Sequence, residues 1–242
     1  MVDRHTRAVS NASRERDLDW PGCVNVRDLG GLTTTDGSAT AFGALVRADN
    51  VRRLTPDGWD AATSYGIQTI LDLRSATECG RDPPVPADLN LDLARVSLFD
   101  DFDTDAAYRA QLERRLVGCD AREAYRVLYT EALDRNQAMF AAALHAIAAA
   151  RQGGIVIHCA GGKDRTGVLA ALVLRLVGVP MADVAHDYER SESRLGLPDS
   201  APAGVIDKVI DALEAEHGNV EGFILAAGAV NSDVERVRQM LL

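Results

Sequence analysis

Cys159 and Arg165 stand six positions apart in the run His158-Cys159-Ala160-Gly161-Gly162-Lys163-Asp164-Arg165-Thr166-Gly167. A thiol and a guanidinium at that spacing suit the transfer of a group carried as an oxyanion. The thiolate attacks, while the planar guanidinium fork holds two oxygens and meets the charge that grows on them in the transition state. Spacing alone is weak evidence: four cysteines and 24 arginines in 242 residues give about 0.4 such pairs by chance. The surroundings add the weight. Ile155-Val156-Ile157 reads as a buried strand, Thr166 to Val177 as a helix apolar nearly all round, and Gly161 and Gly162 lie in the connection. Small residues there let backbone N–H groups turn inward about a tetrahedral anion, and the helix points its positive end at the same place. Ala160, Gly161, Gly162, Lys163, Asp164 and Arg165 are thus the expected phosphate-binding set. Such an electropositive cup also favours the thiolate. Thr166 is placed to donate its hydroxyl to the sulfur, and His158 points to the opposite face of the strand as a support. A nucleotide-binding P-loop does not fit, because Ile157 and Asp164 occupy positions where that motif needs Gly and Ser or Thr.

The elements around this run read as an α/β fold with a central, largely parallel sheet flanked by helices. Thr55-Pro56 begins a helix that Gly66 closes. Ile67 to Leu73 is a short apolar strand with Asp72 and Arg74 at its carboxyl end, and Leu91 to Leu98 alternates as a further strand. Asp72 either caps backbone and pairs with Arg74 or assists the chemistry. Between about Asp105 and Arg151 the apolar spacing predicts two or three helices, and Ser232 with Glu235 gives a capping box for the last helix. Arg27, Arg47 and Arg74 are read by default as surface ion pairs, with the mouth of the site as the alternative. Residues 1–19 are charged and poor in apolar side chains, so a flexible arm is expected there, followed by one domain over 20–242.

A net charge of -10 and a pI near 5.0 exclude general attraction to nucleic acid or anionic membranes, so an anionic substrate must meet a local patch. The cysteines show no C-x-x-C spacing, so no metal, cofactor or disulfide framework is expected. The longest apolar run, Val168 to Leu174, is far shorter than a membrane span. With no apolar signal-peptide core near Met1, a cytoplasmic location is expected, export without a signal peptide aside.

The loop resembles that of the bacterial protein tyrosine phosphatases carrying H-C-x-x-G-K-D-R-T-G. The similarity extends to Asn25-Val26-Arg27-Asp28-Leu29-Gly30-Gly31, Leu45-Val46-Arg47-Ala48, Thr69 to Ser75 and Gly222-Phe223-Ile224-Leu225, roughly residues 20–242. It implies a phosphocysteine intermediate on Cys159 without a metal, Asp164 as general acid, and a helical lid, for which Glu192 to Glu216 is the candidate. It implies phosphotyrosine protein substrates, with phosphoserine, phosphothreonine or phosphoinositides in some members. Ala160 is a departure, small where relatives carry bulkier residues. Lys163 adds a cation that could meet a second phosphate on an inositol ring, and Asp72 is a secondary candidate for the proton. Two other readings stand beside this one: a sulfurtransferase, against which Asp164 and Thr166 argue, and a non-catalytic phosphate-binding module, which would not need the thiol.

Overall fold

Ile155, Val156 and Ile157 lie in the middle strand of a five-stranded sheet, which is why that segment is apolar on both faces. The computed structural model describes residues 15–99 and 105–242. Its strands are β1 Arg27–Asp28, β2 Leu45–Ala48, β3 Ile67–Asp72, β4 Asp92–Arg95 and β5 Gly154–His158, in the order β1-β2-β5-β3-β4. All neighbours run parallel except β1 with β2. Ala48 and Asp72 both register with His158, so three carboxyl ends finish level, the place where parallel sheets hold ligands.

Alternation along β5 divides the core. Ile155 and Ile157 join the larger cluster, built with the helices that follow residue 105, while Val156 joins Trp20, Val46, Trp59 and Ile70 on the opposite face. The helices are α1 Pro56–Tyr65, α2 Ala76–Cys79, α3 Ala106–Leu116, α4 Ala121–Arg135, α5 Gln137–Ala148, α6 Asp164–Leu176, α7 Met181–Leu195, α8 Ile206–His217, α9 Val220–Ala226 and α10 Asn231–Leu241. Thr55 caps α1 through the Gly58 N–H, and Gly66 ends it in the left-handed region at φ 103°. Helix α6 is buried at ten of its thirteen positions, as its all-round apolarity requires. No helix of the described residues is long and apolar enough to cross a membrane.

Several expectations need correction. The capping box forms at Ser75 and Glu78 in α2, not at Ser232 and Glu235. Helix α10 already starts at Asn231 behind Val230, which has no side chain to cap it, so Ser232 falls inside the first turn. Strand β4 is confined to Asp92–Arg95 and is mostly exposed, as an edge strand can be. Of the expected N-terminal arm, residues 1–14 lie outside the described residues. From Arg16 the chain is tied in: Asp28 N–H donates to Arg16 O at 2.8 Å, and Leu18 N–H to Val26 O at 3.3 Å. The folded part therefore starts before Trp20. Segment 192–216 consists of the end of α7, a loop and α8. Ile206, Val209, Ile210 and Leu213 fix α8 in the main core, and Leu195 of α7 reaches the loop between β5 and α6 beside Gly161. Asp100, Asp101 and Asp103 lie outside the described residues.

Candidate active site

The loop between β5 and α6 is held from outside by its carbonyls. Asn50 N–H donates to Ala160 O at 3.2 Å, Asn25 Nδ2 to Gly161 O at 2.9 Å, and Arg47 Nη2 to Gly162 O at 2.6 Å. In a trans peptide the C=O of one residue and the N–H of the next point to opposite sides. Three outward carbonyls therefore turn the N–H groups of Gly161, Gly162 and Lys163 inward. Gly162 is obligatory here: its φ is +66°, and a Cβ would sit 2.4 Å from Ala48 O. Helix α6 opens at Asp164 with no side chain capping its first N–H groups, so they add to the same anion site.

Cys159 is a free, buried thiol at the head of this loop. Arg165 is gripped at two points by Glu78, Nη1 to Oε2 at 2.6 Å and Nη2 to Oε1 at 2.8 Å. Burial works against the Arg165 charge, but Glu78, Cys159 and Asp164 more than offset it. Burial likewise opposes the Glu78 charge, yet Arg165 and the Ser75 N–H hold its carboxyl below the usual range. Thr166 Oγ1 is buried and has no hydrogen-bond partner among the described residues, so its donor is uncommitted.

His158 is a support. Its ring is fully buried, Nδ1 lies 3.3 Å from Cys159 O, and Nε2 is 3.4 Å from Asp72 Oδ2 without forming a hydrogen bond. Burial pulls its pKa down to about 4, so the ring is neutral near pH 7. Asp72 is enclosed: Arg74 donates to Oδ1 from Nε at 2.9 Å and to Oδ2 from Nη2 at 2.8 Å, and Cys79 Sγ donates to Oδ2 at 3.3 Å. Burial alone would raise its pKa, but these partners and His158 bring it to about 2. With donors on both oxygens, neither is free to carry a transferable proton. The capping and pairing alternative describes Asp72; the assisting one does not fit.

Asp164 is the better placed carboxylate, partly open to solvent. Its Oδ1 accepts from Lys163 Nζ at 2.6 Å and from Tyr129 OH at 2.5 Å. Lys163 also lies over the Tyr125 ring, 3.9 Å from its centroid, and its side chain is only 8% exposed. Its ammonium is thus committed to Asp164 of the loop and to the Tyr125 face of α4.

A model of the tyrosine phosphatase family matches residues 18–242. The chain belongs to the tyrosine phosphatase family. A tyrosine-protein phosphatase of Nostoc commune is 28% identical over 82% of this chain and 74% of its own length. The triple specificity protein phosphatase PtpB of Mycobacterium tuberculosis is 32% identical over 72% of this chain and 68% of its own. The crystal structure of P. aeruginosa TpbA matches 76% of this chain and 86% of that one at 16% identity, with a TM-score of 0.39.

Several residues of this tyrosine phosphatase that build the site escaped the reading of its sequence. Asp187 on α7 is fully buried and receives Arg16, Arg27 and Arg47, the last two at 3.0 and 2.6 Å. Arg27 Nη1 also donates to Asn25 Oδ1 at 2.6 Å, so Asp187 and Asn25 tie the arginines to the carbonyls of Gly161 and Gly162. Burial would raise the Asp187 pKa, but three cations hold it far below the usual range, while burial and Arg47 pull Arg27 down to about 9. Arg27 and Arg47 are therefore neither surface ion pairs nor substrate contacts. They lie within the fold because Asp187 and Ser191 accept from both, Asn25 from Arg27 and the Gly162 carbonyl from Arg47, although Arg47 Nε has no partner among the described residues. Arg74 is buried too, on Asp72 and Asp82. Glu78 had a legible signal, the Ser75-x-x-Glu78 capping pattern. Asp187 and Ser191 had a subtler one, polar residues at the helical spacing of Val184 and Tyr188. A cavity of about 470 Å3 lies past the end of α7, lined by residues such as Glu192, Leu197 and Ala201 and by none of the loop.

Proposed function

We propose that this phosphatase hydrolyses phosphomonoesters, phosphotyrosine foremost, through a phosphocysteine on Cys159. The observation that carries the reading is the loop whose Ala160, Gly161 and Gly162 carbonyls are all drawn outward beside an Arg165 fixed by Glu78. The inward N–H groups and the guanidinium would bind the three non-bridging oxygens, leaving Cys159 in line with the ester oxygen. The thiolate attacks phosphorus, and the P–O bond breaks as Asp164 gives its proton to the leaving oxygen. In the second step Asp164 takes a proton from water, which attacks the phosphocysteine. Thr166 would donate to the departing sulfur. The PtpB relative is described as triple specificity, which supports extending the range to phosphoserine, phosphothreonine and phosphoinositides. Recognition of a second inositol phosphate by Lys163 would require its ammonium to leave Asp164 and Tyr125.

Acid-quenched turnover of a 32P-labelled phosphotyrosine peptide tests the intermediate. The wild type is expected to carry acid-stable label on Cys159, and Cys159→Ser to bind inorganic phosphate while losing turnover by more than about a thousandfold. Appreciable turnover by the serine variant would exclude the mechanism, and cyanide-dependent conversion of thiosulfate would favour a sulfurtransferase. A panel of phosphotyrosine, phosphoserine and phosphothreonine peptides with phosphoinositides ranks the substrates.

A further inference from the structure

We infer that Tyr129, backed by Tyr188, is a positioning residue that fixes which oxygen of Asp164 carries the transferable proton. The inference rests on the reading of Asp164 as proton donor and extends it. Tyr129 comes from α4, remote in sequence, and its hydroxyl lies 2.5 Å from Asp164 Oδ1. The Tyr129 and Tyr188 hydroxyls are 2.9 Å apart. A phenol has one hydrogen. If Tyr129 gives its own to Asp164, Tyr188 must donate to Tyr129, and the chain runs Tyr188 to Tyr129 to Asp164 Oδ1. Burial, with Asp164 close by, keeps the Tyr129 phenol well above its ordinary titration range, so it stays a donor. Lys163 donates to the same Oδ1 at 2.6 Å.

With two donors on one oxygen, the neutral acid must place its hydrogen on Oδ2, and Oδ1 serves as the carbonyl acceptor. Rotation of the carboxyl group is restrained, because turning it would bring the Oδ2 hydroxyl against two donors. When Oδ2–H passes its proton to the leaving oxygen, the negative charge left on the carboxylate is met by Lys163 and Tyr129. When water later attacks the phosphocysteine, Oδ2 takes back a proton. The hydroxyls are not needed for packing: Tyr129 and Tyr188 meet edge to face with ring centroids 6.0 Å apart, and phenylalanine would keep that contact.

A double-mutant cycle tests this. kcat/KM reports the steps through leaving-group departure and is measured with phenyl phosphate, a poor leaving group, and with an activated fluorinated aryl phosphate. Tyr129→Phe is expected to lose about tenfold on phenyl phosphate, the loss of one charge-assisted hydrogen bond, and about twofold on the activated ester. The inhibition constant of inorganic phosphate should stay within about twofold. In an Asp164→Asn background the same change should have no leaving-group dependence. Equal losses on both esters, or an undiminished effect without Asp164, would overturn the inference and leave Tyr129 a packing residue. Asp164→Asn itself showing no leaving-group dependence would instead remove the proton-donor reading, and the inference with it. Should Tyr129→Phe not fold, Tyr188→Phe reads the chain one step back, with a loss of about two- to threefold confined to phenyl phosphate.

Discussion

Glu78 fixes Arg165 before any substrate arrives. Its two oxygens each accept one hydrogen bond from a terminal nitrogen of the guanidinium, which leaves three of its five N–H groups for phosphate, and its position is set in turn by the Ser75 N–H at 3.0 Å. The fork is thereby ordered by the protein's own groups, so less entropy is lost when phosphate binds. Glu78→Gln keeps the shape but loses the charged grip. It is expected to lower kcat/KM by about ten- to a hundredfold and to weaken inhibition by inorganic phosphate, as for the loss of a charged hydrogen bond. An unaffected phosphate inhibition constant in steady-state assays would show that Arg165 is ordered without Glu78. Lys163 contributes differently from the expectation drawn from its type: the neighbouring carboxylate and the Tyr125 face both attract its ammonium.

The strand-loop-helix unit of β5 and α6 works because its loop has partners on each side. Arg47 and Ala48 belong to β2, Asn25 precedes β1, and Asn50 follows β2, so the sheet edge that carries β1 and β2 forms the outer wall of the loop. Gly162 has to pass within contact of Ala48 O in a left-handed conformation. Gly162→Ala is therefore expected to destabilise the protein by about 2–4 kcal/mol and to abolish most turnover even in the folded fraction. Urea denaturation alongside the assay checks both effects, and a fully active variant of wild-type stability would mean that the loop relaxes freely. Gly167 serves the next contact: a Cβ there would meet Tyr188 at 3.0 Å and Arg47 at 3.2 Å, so a larger residue would push one of these side chains back by a few tenths of an ångström.

At the scale of the whole molecule the polar groups under the loop make the fold sensitive to acid. The folded His158 has a pKa of about 4 against an ordinary 6.5, so between those values the unfolded chain binds a proton that the folded one does not. Stability is then full above about pH 6.5 and falls as the pH drops toward 4. Asp72, at about 2 against an ordinary 3.8, adds a loss of the same sign at lower pH. Urea titrations at pH 7.5 and 5 should show a His158 contribution of about 2 kcal/mol, which His158→Gln removes. An unchanged slope in that variant would assign the acid sensitivity to other groups. The buried arginines act at this scale too. Two of them, Arg27 and Arg47, share Asp187 with the half-buried Arg16, and removing one partner from such a cluster leaves uncompensated charge in the interior.

Residue order alone sets the central strand, the glycine loop and the buried helix after it, and singles out Cys159 and Arg165 as candidates, because each rests on neighbours along the chain. β-Branched residues form the strand, glycines permit the turn, and all-round apolarity buries the helix. Thr55 and Gly66 were legible for the same local reason. Which charged and phenolic side chains meet depends instead on how distant segments fold together. Tyr129 reaches Asp164 across 35 positions, Glu78 reaches Arg165 across 87, and Arg47 reaches Asp187 across 140. A tyrosine in an apolar helical stripe reads as packing, and an arginine reads as surface, until the fold supplies a partner. Asp72 and Lys163 changed role on that account, since burial makes every polar group depend on whichever partner the fold brings within hydrogen-bond reach.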